Sequence, residues 1–269
     1  MTGSIHTALS QQPQKQFSAD VAMHIWHEIS RALSRIHAMG VMHRDLHGGN
    51  VLLNHSAASQ ESLTISAIRQ VKVADFGKAV DLRHLTTGRH RAEFAYTLKT
   101  AATAVTAPEI VFAPGTVWVN SRKRQAPGQL EIDLWQSGDQ PYKCNYDEKI
   151  DVWASGMLLI MMMKGTDACH VPFRKDAGSR MVSLFGKIPQ SVVDEFHWSV
   201  PRPWVSTTSI TASSHLGNWR PAICEGFTFP SGSLLWQEKV DVALKSLAYS
   251  PKLRANSVRT AVTLGPKWV

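Results

Sequence analysis

Three short motifs in this chain of 269 residues carry polar side chains that suit metal and phosphate chemistry. In chain order they are His43-Arg44-Asp45 followed by Asn50, then Asp75-Phe76-Gly77, then Ala107-Pro108-Glu109. Carboxylate and amide oxygens are hard ligands of the kind that Mg²⁺ prefers, and Mg²⁺ keeps few protein ligands. A carboxylate can also accept the proton of a reacting hydroxyl group. Each triplet alone is weak evidence, so the information lies in their joint order.

In this order the motifs resemble the signature set of eukaryotic-type Ser/Thr protein kinases, namely a catalytic loop, a magnesium-binding turn and the end of an activation segment. The resemblance implies ATP as phosphoryl donor, Mg²⁺ as metal and a protein Ser or Thr as acceptor. It implies that Asp45 is the catalytic base and that Asn50 and Asp75 bind Mg²⁺ and the nucleotide phosphates. Gly77 would allow the sharp backbone turn beside the nucleotide.

Two later segments extend the resemblance. Residues 151–156 read D-V-W-A-S-G and resemble the start of the central helix, whose aspartate ties down the catalytic loop in the family. Residues 250–255 read S-P-K-L-R-A and resemble a segment whose arginine pairs with the glutamate of A-P-E. Asp151 is therefore expected to hold the loop, and Arg254 to pair with Glu109. The ordinary alternatives are a helix-capping aspartate and a surface arginine.

His47 departs from the family pattern. Ser/Thr kinases commonly carry a lysine two residues after the catalytic aspartate, where it neutralises the transferring phosphoryl group. A histidine has an unperturbed pKa of about 6.5, so its contribution as a catalytic residue would depend on its protonation. The D-L-H-x-G-N string also resembles small-molecule kinases of the aminoglycoside and choline type. A hydrogen-bonding loop residue is the equal alternative for His47.

The segment before His43 is too short for the ATP-gripping N-terminal lobe (N-lobe) of the family. It spans 42 residues, in which Gly3 and Gly40 are the only glycines and Lys15 is the only lysine. That excludes a glycine-rich loop followed by a V-A-I-K strand. We therefore expect the C-terminal lobe (C-lobe) alone: a mainly α fold, with short β-hairpins at the catalytic cleft and the N-lobe sheet absent.

Periodicity supports two long helices. Ser18 is a plausible N-cap, and apolar residues recur at helical spacing from Ile25 to Gly40. The segment from Asp147 to Gly165 is apolar nearly all round and is predicted to be a central, buried helix. Residues 51–53 and 71–73 are short β-type runs, and the family resemblance implies that they form a hairpin under the nucleotide.

The domain prediction is a flexible lead-in over residues 1–17 and one kinase C-lobe over residues 18–265. The polar stretch near 55–69 and the Gly- and Pro-containing stretch near 113–145 are interpreted as insertions, the second as an insertion or a long loop.

Composition is that of an ordinary globular protein, with 43% apolar and 19% charged residues. The formal charge of +8 comes from scattered basic residues, so we expect a mildly basic surface and no nucleic-acid partner. The three cysteines form no C-x-x-C pair, which favours a reducing compartment. No apolar run reaches the length of about 20 residues that a membrane helix needs. We expect a cytoplasmic protein, with the nucleus as the alternative.

The expected function is ATP-dependent phosphorylation of protein Ser/Thr, weak or absent in this chain alone because the ATP-binding lobe is missing. The expected partners are ATP, a protein substrate and partner proteins that bind the C-lobe. A pseudokinase-like scaffold without catalysis is the alternative. A small-molecule phosphotransferase is the third hypothesis, which the A-P-E and D-V-W-A-S-G segments disfavour.

Overall fold

The fold is seen in a computed structural model of the chain. The structure describes residues 3–56, 63–81, 105–112, 117–120, 132–135, 146–165, 177–207, 234–257 and 260–261. Its helices are α1 (Ile5–Ser10), α2 (Ala19–Ala38), α3 (Pro108–Val111), α4 (Lys149–Lys164), α5 (Ala177–Phe185), α6 (Gln190–Phe196) and α7 (Leu234–Ser246). Its strands are β1 (Gly3–Ser4), β2 (Val41–Met42), β3 (Val51–His55), β4 (Ile68–Val73), β5 (Val80–Asp81), β6 (Val117–Asn120), β7 (Ile132–Trp135), β8 (Ile188–Pro189) and β9 (Val205–Ser206).

Helix α2 forms where the apolar periodicity predicts it. Ser18 is its N-cap residue, and Ile25, Ile29 and Leu33 on its inner face are buried. The helix ends before Gly40, whose φ of 77° lies in the left-handed region that favours glycine. The chain turns there into β2 and reaches His43 directly afterwards.

Helix α4 is the central helix of the core. Its residues from Ile150 to Met163 are all buried, which confirms the prediction made from its unbroken apolar run. Just before the helix, the Asp147 side chain accepts a hydrogen bond from the Lys149 backbone N–H at 3.0 Å. Helix α2 packs along α4, where the Trp26 indole N–H donates to the Ser155 hydroxyl at 3.3 Å. Within the described ranges, no helix combines the length and the hydropathy that crossing a bilayer requires.

Three strands form the largest sheet among the described residues, in the order β1-β3-β4. Strands β3 and β4 pair antiparallel from Val51 opposite Val73 to His55 opposite Ile68, which confirms the predicted hairpin and lengthens both strands. Strands β2 and β5 form a second antiparallel pair, with Met42 opposite Val80. Strand β2 directly precedes His43, and strand β5 follows Gly77. This second pair therefore holds the two segments of the candidate site next to each other.

The prediction of a flexible lead-in over residues 1–17 is wrong for residues 3–10. Strand β1 pairs antiparallel with β3, with Gly3 opposite Leu53. Helix α1 follows, capped by the Ser4 hydroxyl, which accepts from the Thr7 N–H at 3.3 Å. Its Ile5 and Leu9 side chains are fully buried. The free energy of burying this apolar surface exceeds the entropy cost of ordering a short polar segment.

The two predicted insertions are described in part. The ladder to His55 and Ile68 takes in both ends of the 55–69 stretch. Within it, Leu63 is buried and its N–H donates to the Gln12 side chain at 3.0 Å. Inside 113–145, β6 and β7 form an antiparallel hairpin, and the rest of that stretch lies outside the described residues. The predicted absence of the N-lobe sheet stays a prediction.

Candidate functional site

Asp45 lies in the loop between β2 and β3, and 8% of its surface is exposed. Its Oδ2 atom contacts the Lys78 Nζ at 2.8 Å and lies 3.5 Å from the Asn50 Nδ2. Its Oδ1 atom is buried and accepts no hydrogen bond from any residue that the structure describes. A buried carboxylate oxygen without a donor is costly, so this atom is suited to a donor supplied from outside the chain.

Asn50 is fixed to the same loop. Its side-chain Nδ2 donates to the Asp45 backbone carbonyl at 2.9 Å. This bond uses the amide nitrogen, which leaves the amide oxygen as the end able to bind a cation. The Asn50 carbonyl also accepts from the Ala74 N–H at 2.8 Å. The residue just before Asp75 is therefore bonded directly to Asn50.

Asp75 opens a tight turn. Its φ of 61° and ψ of 76° are left-handed, a conformation in which aspartate is several-fold enriched among non-glycine residues. Its Oδ1 accepts from the Gly77 N–H at 3.2 Å, and a 3-10 turn follows over Phe76–Lys78. The Phe76 ring meets the His43 ring edge-on, with centroids 4.9 Å apart. The His43 ring nitrogen Nε2 bonds to the Ala74 carbonyl at 2.9 Å, which ties this turn to the catalytic loop.

The structure places Asp45 and Asn50 in contact and joins the backbone of the Asp75 turn to Asn50. The side chain that the motifs did not single out is Lys78. Lys78 directly follows Gly77 in the sequence, but its contact with Asp45 is visible only in the structure.

His47 lies beside the site. Its Nε2 is 4.0 Å from the Asp45 Oδ2, and its Nδ1 accepts from the Gly49 N–H at 3.0 Å. Burial lowers the pKa of His47 below its usual value, and the nearby His6, Lys78 and His43 lower it further, while Asp45 acts in the opposite direction. The lowered pKa favours the neutral form of His47, and its Nδ1 accepts a hydrogen bond within the loop.

Helix α1 closes the other side of the loop. The His6 N–H donates to the Gly48 carbonyl at 3.3 Å. A Cβ on Gly48 would lie 2.3 Å from the His6 ring carbon Cδ2 and 2.7 Å from the Met161 Cε. The glycine therefore permits close approach of α1, the loop and α4.

Asp151 anchors the loop from below, as the family resemblance implied. Its two carboxylate oxygens accept from the backbone N–H groups of His43 at 2.8 Å and Arg44 at 2.9 Å. Its Oδ2 also bonds to the His37 Nε2 at 3.0 Å, and the other His37 nitrogen bonds to the Ser257 hydroxyl at 2.9 Å. Asp151 is 1% exposed, so these bonds are shielded from water. The loop backbone before Asp45 is fixed to the core by them.

Glu109 and Arg254 form the second predicted pair, which is confirmed. Both are buried, and the guanidinium Nη1 and Nη2 donate to Oε1 at 2.6 Å and Oε2 at 2.7 Å. The Arg254 Nε donates to the Ala248 carbonyl at 2.8 Å, and its guanidinium lies over the Trp153 ring. The pair joins α3 to the segment that follows α7.

A cavity of about 20 Å³ adjoins Asp45, which is room for about one water molecule. Its wall includes Asp45, Asp151 and the segment 105–107 just before α3. Thr106 lies on this wall.

The donor set fits Mg²⁺ and nucleotide phosphates. The Asn50 amide oxygen and the Asp75 carboxylate are two hard oxygen donors on adjoining turns, and Mg²⁺ commonly takes one or two protein ligands of this kind with phosphate and water completing its shell. The described residues hold no cluster of three or more His, Cys, Asp or Glu side chains that could bind a metal. A site with two protein oxygen donors, completed by a substrate phosphate, agrees with the donors present and with the lack of a larger cluster among the described residues.

Comparison with protein families matches residues 1–254 to the protein kinase domain. The chain therefore belongs to the protein kinase domain family, whose members are phosphotransferases that use ATP and Mg²⁺ in general and act on protein substrates.

The comparisons with individual proteins agree. The chain is 25% identical over 256 residues to "Mitogen-activated protein kinase HOG1" of Candida albicans, covering 94% of this chain and 51% of that protein. It is 28% identical over 163 residues to "Nik-related protein kinase" of Mus musculus, covering 61% of this chain and 8% of that protein. Among solved structures it resembles "Crystal Structure of the yeast RNA Pol II CTD kinase CTDK-1 complex", with a TM-score of 0.56 and 16% identity over 91% of this chain and 62% of that one. The structural likeness shows the fold alone. The chain spans about half the length, or less, of the curated relatives named here.

Proposed function

We propose that this chain carries the C-lobe of a Ser/Thr protein kinase domain, with Asp45 as the catalytic base and Asn50 and Asp75 as the magnesium ligands. The observation that carries the proposal is the state of the Asp45 carboxylate. Its Oδ2 is occupied by Lys78, while its Oδ1 is buried without a donor among the described residues. A substrate hydroxyl is the donor that this oxygen lacks, because the family transfers phosphoryl groups to hydroxyls.

The chain's own residues have distinct roles in this reaction. Asp45 orients the Ser or Thr hydroxyl and accepts its proton as the phosphoryl group is transferred. Asn50 and Asp75 would hold Mg²⁺, which would offset the negative charge of the ATP phosphates. The bond from the Asp75 Oδ1 to the Gly77 N–H keeps that carboxylate oriented. Asp151 holds the backbone of the catalytic loop in place.

The proposal includes weak activity of this chain alone. Before His43 the described residues supply β1, α1, α2 and β2, and the 42 residues there contain neither a glycine-rich loop nor a V-A-I-K lysine. Phosphoryl transfer depends on positioning, so a poorly held nucleotide lowers the rate by orders of magnitude.

The test is a radiolabelled ATP assay with Mg²⁺, a generic protein substrate and a high concentration of the purified chain. Replacing Asp45 by Asn should lower transfer by about 100-fold or more, the range for loss of a general base. Asp194→Asn on the exposed surface of α6 is the matched control and should leave transfer unchanged. Phosphoserine and phosphothreonine in the product would support the Ser/Thr assignment. Ordinary turnover by this chain would contradict its proposed weakness, and transfer that Asp45→Asn leaves intact would contradict the proposed base.

The alternative is a scaffold without catalysis. It predicts that Mg²⁺ and ATP leave the melting temperature unchanged. The arrangement of Asp45, Asn50 and the Asp75 turn favours the enzyme, because a scaffold needs no such arrangement.

A further inference from the structure

The catalytic loop of this chain lacks the lysine that the family commonly carries beside the transferring phosphoryl group. The family commonly has a lysine two residues after the catalytic aspartate, and this chain has His47 there. His47 lies 4.0 Å from the Asp45 Oδ2, and a histidine does not carry the permanent positive charge of a lysine at pH 7. Transfer of a phosphoryl group develops negative charge on oxygens close to the base, and the loop itself offers no lysine to stabilise it.

Lys78 reaches the site from another segment. Its Nζ lies 2.8 Å from the Asp45 Oδ2, and about a third of its side chain is exposed. It therefore combines contact with a buried carboxylate and access from the cleft. Its backbone belongs to the 3-10 turn that follows Asp75, so the ammonium is attached to the same turn as a proposed magnesium ligand.

The backbone fixes this approach. Met42 pairs with Val80 between β2 and β5, so the chain leaves one strand toward Asp45 and enters the other from Lys78. The Ala79 N–H donates to the Phe76 carbonyl at 3.0 Å, which closes the turn that carries Lys78. The position of the ammonium beside Asp45 thus follows from local backbone pairing as well as from attraction between the charges.

We propose that Lys78 supplies the lysine charge that the catalytic loop lacks at position 47, acting on the transferring phosphoryl group of ATP while it holds the Asp45 carboxylate. This inference rests on the proposed function. The hydroxyl oxygen forms a bond to the γ-phosphorus, and the bond from that phosphorus to the bridging oxygen of ADP breaks. ADP keeps the electron pair of that bond, and the hydroxyl proton goes to Asp45. Lys78 keeps its own proton throughout and offsets the charge on the phosphoryl oxygens.

The experiment compares three variants of the full chain. Lys78→Met removes the charge and keeps much of the side-chain volume. Lys78→Met combined with His47→Lys restores a cation at the place where the family carries it. Lys72→Met, on the exposed surface of β4, is the control with the same change in net charge. Urea unfolding of each variant measures whether the fold is retained.

Two readouts are used. In the ATP assay, Lys78→Met should lower transfer by about 100-fold, comparable to the loss of one donor that stabilises transition-state charge. The His47→Lys double variant should recover at least about a tenth of the activity, and Lys72→Met should match the parent chain. In ³¹P NMR titrations with Mg²⁺, Lys78→Met should weaken ATP binding more than ADP binding, because only ATP carries the γ-phosphate.

These readouts separate the inference from the proposed function. If transfer depends on Asp45 but not on Lys78, the inference is overturned and the function stands. If no transfer is detected while Lys78 still determines the preference for ATP over ADP, Lys78 binds the γ-phosphate, but the catalytic function and the role of Lys78 in transfer are both overturned. Faster transfer by Lys78→Met would identify an inhibitory ion pair and overturn the inference. Equal loss of ATP and ADP binding without rescue would overturn it as well.

Discussion

The Arg254 guanidinium grips the Glu109 carboxylate through two parallel hydrogen bonds of 2.6 and 2.7 Å, between residues that are both buried. A bidentate pair of this kind fixes orientation as well as distance. It holds α3, and with it the wall of the cavity beside Asp45, against the core.

Arg254→Ala should destabilise the fold by about 3–5 kcal/mol, because it leaves the Glu109 charge buried without its partner. Lys252→Ala is the control, since it removes a neighbouring cation whose pair with Glu195 is largely exposed. An exposed pair contributes about 0–1 kcal/mol. Urea unfolding measures the free energy of unfolding of both variants. Equal losses in the two variants would contradict the larger contribution expected for the buried Glu109 pair.

Asp151→Ala should destabilise the chain and loosen the catalytic loop. Two backbone N–H groups and His37 lose their acceptor, and each buried donor left unpaired costs about 1–3 kcal/mol. Hydrogen exchange should accelerate at His43 and Arg44. His37→Ala removes one of the three donors and should leave exchange at those amides much slower than in Asp151→Ala. Similar exchange in the two variants would mean that Asp151 does not hold the loop directly.

Gly156→Ala should destabilise the packing of α4 on α7. A Cβ at this position would lie 2.5 Å from the Ser246 hydroxyl oxygen and 2.8 Å from the Leu247 Cγ. Alanine favours a helix by about 1 kcal/mol over glycine, but overpacking a core costs about 1–3 kcal/mol. We expect a lower melting temperature for Gly156→Ala. Adding Ser246→Ala should recover part of the decrease, because it removes the atom nearest to the new Cβ. A rise in melting temperature for Gly156→Ala would contradict the close approach.

Stability should fall as the pH drops from 7 toward 5. Burial lowers the pKa of His24, His27 and His47 below the ordinary value of 6.5. Below that value the unfolded chain binds more protons at these sites than the folded chain does, so protonation favours unfolding. The loss begins near pH 6.5 and continues until the pH passes the folded pKa of each residue. Replacing all three by Asn should flatten urea midpoints between pH 7 and 5, and an unchanged slope would exclude these histidines as its source.

The sequence predicted the parts of the fold that depend on local patterns. The apolar spacing from Ile25 to Leu33 located α2, and the unbroken apolar run located α4. The pairing of Arg254 with Glu109 and the anchoring by Asp151 were predicted from a family resemblance, and the contacts confirm them. These features succeed because each is recorded in residue types at fixed spacing.

Other features could not be predicted because they depend on contacts between distant segments. Helix α1 has only a few apolar residues, and it is stabilised by burying Ile5 and Leu9 in a core formed by other segments. Strand β1 has two residues and exists because β3 offers it an edge. The sequence around β6 and β7 shows no sustained periodicity from which their hairpin could be predicted. The contact from Lys78 to Asp45 joins two loops, and only their meeting in space reveals it.

The shared turn of Asp75 and Lys78 has a consequence for the proposed site. A metal ligand and a counter-ion that sat on separate loops could be lost independently. Here one small rotation of the backbone around Phe76 would displace both side chains together. The proposed site would then lose its metal ligand and its cation in one step.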